Sequence, residues 1–355
     1  MSVVFACVDA DTLGGVQQVT HTLAQGLAER GHEVHVIGLH RAAAPFRYVE
    51  RPRYHHHVVS RRTLAEPGHV LARRRADRRL KELLRRIRPG YAVMTSPSVV
   101  ARMSRLLPSA FRPIGQYHGS YDHASACWHL GSIKKHYPAL DQAVFLSEDD
   151  AWRFAEHALL PNARALPNPL PVWPEEVSAL QAPRVLGVGR LEGVKRFDRL
   201  ISAFARSDVP RPWELHLIGD GAERERLRAH AAGEGVGDRV VFRGLLPAAC
   251  LAREYLDASI VCLTSEHEGL PIVLLESAAH GVPSVAFDVS GGVRQAGSVL
   301  VPPGDVDAFA AELARLAASA AERRRLGADA RARAEAFRLD HVLDRWESMF
   351  AHIDR

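Results

Sequence analysis

The stretch SEHEGLPIVLLES, residues 265–277, decides how the chain is read. Glu268 and Glu276 stand eight positions apart, separated by Gly269, Leu270, Pro271 and an apolar run. The preceding SIVCLT (259–264) has the unbroken apolar character of a buried parallel strand. The following AAHGVPSVAF (278–287) reads as a helix end, a glycine stop and a further strand. Glu268 is therefore expected on a loop after a strand, Pro271 near the first turn of a helix, and Glu276 inside that helix. Such a terminus offers unpaired N–H groups and the positive end of the helix dipole to a phosphate. Proline is tolerated there because its missing N–H lies among the unpaired ones. The spacing predicts an anionic ligand at this terminus, with the two carboxylates accepting from its hydroxyls.

The chain has 355 residues, so two domains are expected. Its 47% apolar and 25% charged content are those of a globular protein, and the formal charge of +5 is modest. Cys7, Cys127, Cys250 and Cys262 form no CxxC pair. They are expected as buried free thiols in a reducing cytosol. No basic segment followed by a long apolar one opens the chain, so no secretory leader is expected. No apolar run approaches the roughly eighteen residues of a membrane span.

From the amino terminus, SVVFACV (2–8) reads as a buried strand, DADTLGGVQQ (9–18) as a glycine-bearing turn, 16–30 as a helix and HEVHVIGL (32–39) as the next strand. Glycines at the carboxyl end of a first strand mark the ligand edge of an open α/β sheet. A basic segment (41–62) and a helix over 70–87 follow. Val70, Leu71, Leu80, Leu83, Leu84 and Ile87 are expected to cover a sheet face, with nine basic residues outside them. YAVMTS (91–96), PIGQYHG (113–119) and AVFLS (143–147) are further strands. The proline-rich LPNPLPVWPEE (166–176) reads as a linker. A second alternation then begins, with strands at 184–189, 214–219, 239–244, 259–264, 284–287 and near 299. The tail, 323–353, reads as nearly continuous helix. Two doubly wound α/β domains are the consequence.

Three glycine-bearing turns follow strands of the second half: GVGRLEGVKRFD (187–198), GDGAE (219–223) and the opening stretch. All are expected on one cleft edge. Arg190 and Lys195 are the cations nearest it, suited to neutralise a diphosphate. Gly187, Gly189 and Gly193 approach a dinucleotide fingerprint, but the third glycine falls one place late, so a nicotinamide enzyme is not favoured.

GVGRLEGVKRFDRLISAF, LHLIGDGAERERL, VVFRGLL, SEHEGLPIVLLESAAHGVPSVAF and VLVPPGD resemble, in that order, the C-terminal domain of family 4 retaining glycosyltransferases. The N-terminal GG turn and the HG of QYHGSYD resemble landmarks of that family's other domain. The resemblance implies a GT-B fold, two Rossmann-like doubly wound domains facing across a cleft. An acceptor-side domain would span 1–168, a nucleotide-sugar domain 169–335, and a C-terminal helix, 336–355, would cross back. The resemblance also implies a nucleotide-diphosphate sugar donor, no metal and no cofactor. Arg190 and Lys195 would bind the diphosphate, and Glu268 the sugar hydroxyls. Gly269, Leu270 and Pro271 would bring backbone to sugar and phosphate, and Glu276 would accept from the ribose diol. Arg243, Gly244 and Leu245 would lie near the base, beside the turn of Gly219. Gly14 and Gly15 would approach the phosphates or sugar, and His118 would lie near the sugar. Members of the family usually carry an acidic, glycine-containing insert where SGGVRQAGSVLVPPGD (290–305) runs straight through, which leaves the roles of 291–297 open.

Asp9 and Asp11 form a DxD beside the GG turn, but no oxygen-ligand set accompanies them, so Asp11 is expected near the acceptor rather than on a metal. His55, His56 and His57 are expected in a solvated loop, because adjacent side chains cannot all converge on one ion. The basic helix, 70–88, is either a solvated face or a dock for an anionic membrane or acceptor. No aromatic platform accompanies it, so nucleic acid is not expected. The acceptor would be a glycan, a lipid-linked sugar or a small-molecule aglycone, and the location cytoplasmic, peripheral at the inner face of the membrane if the helix docks. Rival readings are a GT-B sugar-nucleotide epimerase or phosphorylase, and a non-catalytic sugar-nucleotide-binding protein.

Overall fold

A computed structural model describes residues 1–41, 45–61 and 70–355. The basic segment 41–62 therefore lies partly outside the described residues, as does the Val70 side chain. The chain divides into two units, Met1–Pro171 with Arg338–Arg355, and Val172–Phe337.

The strands of the first unit are β1 (Ser2–Cys7), β2 (Glu33–Gly38), β3 (His55–Val58), β4 (Tyr91–Met94), β5 (Arg112–Gln116), β6 (Gln142–Phe145) and β7 (Ala163–Ala165). Among the described residues they form one parallel sheet in the order β3-β2-β1-β4-β5-β6-β7. Helices α1 (Gly15–Glu29), α2 (Val70–Arg86), α3 (Pro97–Met103), α4 (Tyr121–Ser125), α5 (Trp128–His136) and α6 (Glu148–His157) lie between them. All six residues of β1 are buried, which is why it reads as an unbroken apolar run. The strand order reverses between β1 and β4, where open α/β sheets place ligands.

The second unit carries β8 (Arg184–Val188), β9 (Glu214–Ile218), β10 (Val240–Gly244), β11 (Ile260–Leu263), β12 (Ser284–Phe287) and β13 (Val299–Val301). Its described strands form a parallel sheet in the order β10-β9-β8-β11-β12-β13, reversing between β8 and β11. The helices are α7 (Phe197–Arg206), α8 (Arg224–Gly233), α9 (Ala248–Leu256), α10 (Ile272–Ala279), α11 (Gly291–Gln295), α12 (Val306–Ala318) and α13 (Ala320–Ala334). The core on one sheet face is built by Leu200, Ile201 and Phe204 of α7 and Phe309, Leu313 and Leu316 of α12. Two parallel Rossmann-like units are the fold that the alternating strand and helix patterns predict.

The tail is nearly all helix, as expected, in two pieces. A short 3-10 turn at Glu335–Phe337 follows α13, and α14 (Leu339–Ile353) belongs to the first unit. Trp346 of α14 is fully buried, edge-on to Phe5 of β1 at 6.1 Å, and Phe350 stacks on Tyr91 at 4.2 Å. Arg30 at the end of α1 donates to Asp344 and Glu347, each at 2.7 Å.

The histidine tract departs from the solvated loop expected of it. It forms edge strand β3, paired His35↔His55 with β2. Side chains alternate across a strand, so His55 and His57 lie on one face, their rings 4.9 and 5.3 Å from that of His35. His56 points the other way and meets Asp11. Helix α2 buries Ala76, Leu80 and Leu84, but Leu71, expected on the covered face, is 71% exposed. Residues 166–176 carry no helix or strand, and 166–170 are buried. Cys7 and Cys262 are buried, whereas Cys127 is half-buried and Cys250 exposed, so burial holds for two of the expected thiols. No described helix is long and apolar enough to cross a membrane.

Candidate active site

The loops after β8 and β11 are neighbours at the reversal point of the second sheet. Their backbones are joined directly. The Glu266 N–H donates to Val194 O at 2.9 Å, and the Thr264 hydroxyl bonds to the carbonyls of Lys195 and Arg196 at 3.2 and 3.0 Å. This seam brings Lys195, at the end of a 3-10 turn, to Glu268: Nζ donates to Oε1 at 2.6 Å. Both side chains are largely buried, so water screens the pair less than it would a surface one. Arg196, in the left-handed region at φ 49°, bonds Asp198 through Nε at 3.0 Å and also pairs with Glu266. Ser265, at the same strand end, has a buried hydroxyl with no hydrogen-bond partner among the described residues.

Beyond this seam the chain enters α10. Pro271 is its N-cap residue, no side chain caps it, and Ile272 is buried behind it. The first-turn N–H groups of α10 thus have no side-chain cap, and the loop leading into them carries Glu268. Glu276 follows one turn into the helix, and its Oε2 accepts from the Tyr255 hydroxyl of α9 at 2.9 Å. Burial, then the Glu276 carboxylate, raises the Tyr255 pKa well above its usual range, so Tyr255 stays a donor. His280 stacks on Tyr255 at 5.1 Å, and its Nδ1 lies 2.8 Å from the Glu276 carbonyl. Tyr255 and His280 are not among the expected site residues; His280 caps the end of α10 one turn after Glu276, and packing of α9 brings Tyr255 to it.

Two close backbone approaches hold the loops. A Cβ on Gly219, at φ 134°, would lie 1.9 Å from Gly189 O. A Cβ on Gly292 would lie 1.9 Å from Gly269 O, and the Ser290 hydroxyl donates to that carbonyl at 2.8 Å. The SGG turn therefore buttresses the backbone next to Glu268.

The remaining expected residues are distributed as follows. Arg190 is exposed and pairs with Glu192 at 2.9 Å. Arg243, on the edge strand β10, donates through Nε at 2.9 Å to the buried Glu254, which also pairs with Arg184 at 3.2 Å. Gly244 accepts from the Gly219 N–H at 2.9 Å, and Leu245 is exposed. Gly269, Leu270 and Pro271 are buried in the turn before α10.

In the first unit Gly14 caps α1, and its N–H donates to the Tyr48 hydroxyl at 2.7 Å, while Gly15 is exposed. Asp9 Oδ1 accepts from the Asp11 N–H at 2.8 Å. Asp11 is held by Arg41 at 2.6 Å and His56 at 3.0 Å. His118 follows β5. Its Nε2 is sealed from water and has no hydrogen-bond partner among the described residues, and burial lowers its pKa to about 4. His118 is therefore neutral around neutral pH.

Two family models match the chain: Glycosyltransferase Family 4 over residues 13–172 and Glycosyl transferases group 1 over 174–333. An exopolysaccharide phosphotransferase of Streptomyces coelicolor is 28% identical over 99% of this chain, which spans 41% of that relative's length. A sucrose-phosphate synthase from Thermosynechococcus elongatus superposes with a TM-score of 0.82 at 21% identity, covering 99% of this chain and 98% of that one. Anabaena HepE in complex with UDP-glucose superposes with a TM-score of 0.77 at 16% identity, covering 99% and 100%. At these identities the superpositions speak for the fold. The two family models together match nearly the whole chain, residues 13–172 and 174–333, and the chain thus belongs to the GT-B, family 4 type of glycosyltransferases.

Proposed function

We propose that the chain moves a sugar from a nucleotide-diphosphate sugar to a hydroxyl acceptor, with retention at the anomeric carbon and without a catalytic metal. The observation that carries this reading is the uncapped start of α10, entered from the loop whose Glu268 pairs with Lys195, at the reversal point of the second sheet. The donor diphosphate lies on the α10 terminus, with Lys195 and Arg190 as its cations. Glu268 accepts from sugar hydroxyls and Glu276 from the ribose diol. As the anomeric C–O bond to the phosphate breaks, negative charge grows on the leaving diphosphate. Groups that meet that charge act more strongly in the transition state than in the ground state. The acceptor oxygen bonds the anomeric carbon on the same face, and its proton passes to the departing phosphate. Glu268, already neutralised by Lys195, is a poor nucleophile, which supports front-face transfer. His118, neutral around neutral pH, orients the sugar. Asp11 is already engaged by Arg41 and His56, which supports a role for the DxD other than holding a metal. The basic face of α2 is either a solvated face or a dock for anionic lipid or an anionic acceptor, and the acceptor is a glycan, a lipid-linked sugar or an aglycone.

The name of the Streptomyces relative supports a second reading, sugar-phosphate transfer. One experiment separates the two: a panel of nucleotide sugars, headed by UDP-glucose, incubated with the chain without added Mg2+ or Mn2+. Release of nucleoside diphosphate with a retained anomeric configuration is expected. Release of nucleoside monophosphate would assign sugar-phosphate transfer, an altered sugar still on its nucleotide would assign epimerisation, and binding without turnover would leave a non-catalytic protein.

A further inference from the structure

His123, Cys127 and His129 each offer one ligand atom, and those atoms all lie within 4.8 Å of one another. The arrangement comes from a tight reversal. His123 is in the last turn of α4, a single residue separates that helix from Cys127, and Cys127 is the N-cap of α5. The rings of His123 and His129 meet edge to face at 5.4 Å. All three residues are half-buried, which shields a site while leaving it reachable. The Tyr117 hydroxyl, itself buried, holds His129 Nδ1 at 3.0 Å. An outer hydrogen bond of this kind fixes the ring of a metal-binding histidine and leaves its other nitrogen for the ion.

We propose that His123, Cys127 and His129 form a zinc site with one coordination position left open. Zinc–nitrogen bonds of about 2.0–2.1 Å and a zinc–sulfur bond of about 2.3 Å in a tetrahedron require ligand atoms roughly 3.3–3.7 Å apart. The present spacing, within 4.8 Å, has to close to that range when the ion binds. Two imidazoles and a thiolate favour zinc, cobalt or copper over magnesium, so the site is distinct in chemistry from any ion that would accompany a diphosphate. On binding, the Cys127 thiol gives its proton to solvent and the sulfur bonds the metal. The fourth position is free for water or an acceptor group. The site follows directly on the loop that carries His118, so the ion would brace that loop. Nothing in this proposal depends on the transfer reaction.

The test is a Co2+ titration of the full chain, stripped of metal and kept reduced. A thiolate-to-cobalt band in the near ultraviolet with tetrahedral visible bands is expected, saturating at about one ion per chain and bleached by Zn2+. Cys127→Ser should abolish the near-ultraviolet band, and His123→Gln and His129→Gln should each weaken binding at least about 10-fold. Tyr117→Phe should weaken it roughly 10–100-fold. Cys250→Ser, at the exposed thiol elsewhere, should leave the spectrum unchanged. Absence of a thiolate band in the unmodified chain overturns the proposal, and so does a band that survives Cys127→Ser or disappears in Cys250→Ser.

Discussion

The two sheets reverse their strand order in the same way, yet their ligand edges are built differently. In the second unit the loops after β8 and β11 are sewn together by the Glu266–Val194 backbone hydrogen bond, the Thr264 hydroxyl and a Lys195–Glu268 pair, and the Gly269–Gly292 contact ties in the turn after β12. In the first unit the loop after β5 carries a histidine whose buried Nε2 has no partner among the described residues, and the turn after β1 is a cluster of Asp11, Arg41, His56 and Tyr48. A preorganised edge suits a ligand portion that never changes, such as a diphosphate, because little reorganisation remains at the moment of reaction. Each edge keeps one sealed polar atom without a partner among the described residues, Ser265 in the second unit and His118 in the first.

That contrast can be broken, starting from the scaffold. Trp346→Ala should cost the first unit roughly 3–5 kcal/mol by opening a cavity against Phe5, seen as a shift of one denaturation midpoint. If both units lose stability equally, they are not separate cooperative bodies. Lys195→Ala should lower kcat/KM about 10²–10³-fold with an unchanged circular dichroism spectrum. A variant with ordinary kinetics would remove Lys195, and with it the donor site, from the reaction. Gly292→Ala forces a Cβ into the Gly269 carbonyl and should destabilise the second unit by about 1–3 kcal/mol while weakening nucleotide-sugar binding. Tight donor binding in a destabilised Gly292→Ala chain would show that the buttress acts on stability alone.

The smallest effect concerns pH and the first unit. Burial holds His118 at a pKa of about 4, below the ordinary value of 6.5. As pH falls from 6.5 toward 4, the unfolded chain takes up a proton at this residue that the folded chain refuses, so stability is lost through that window. His118→Gln should flatten part of that loss. His57, also lowered to about 4, by burial and then by His35, accounts for a further part. A chain whose stability is level from pH 7 to pH 4 would mean that these imidazoles titrate freely.

Much of the second unit's edge was legible without coordinates, because glycine turns after apolar strands are local patterns. The eight-residue spacing of Glu268 and Glu276 already places one on a loop and one on a helix. The partners of those acids were not legible. Lys195 lies 73 positions from Glu268, and Tyr255 lies 21 from Glu276, and neither separation leaves a periodic mark. Arg243 is tied to Glu254, a contact made by an edge strand and a helix that no local pattern aligns. The histidine tract misled because three adjacent polar residues resemble a loop; an edge strand with one face on His35 tolerates them as well.

By itself, the sequence determined the alternation of strands and helices, the two parallel units and the glycines where backbone must approach backbone. These follow from periodicity and steric limits within a few residues of chain. Tertiary structure alone decided which charges meet, which imidazoles lose their water, and that α14 closes the first unit against β1 and α1. Pairing and burial depend on residues far apart in the chain, and their energies exist only once the packed core has brought those residues together.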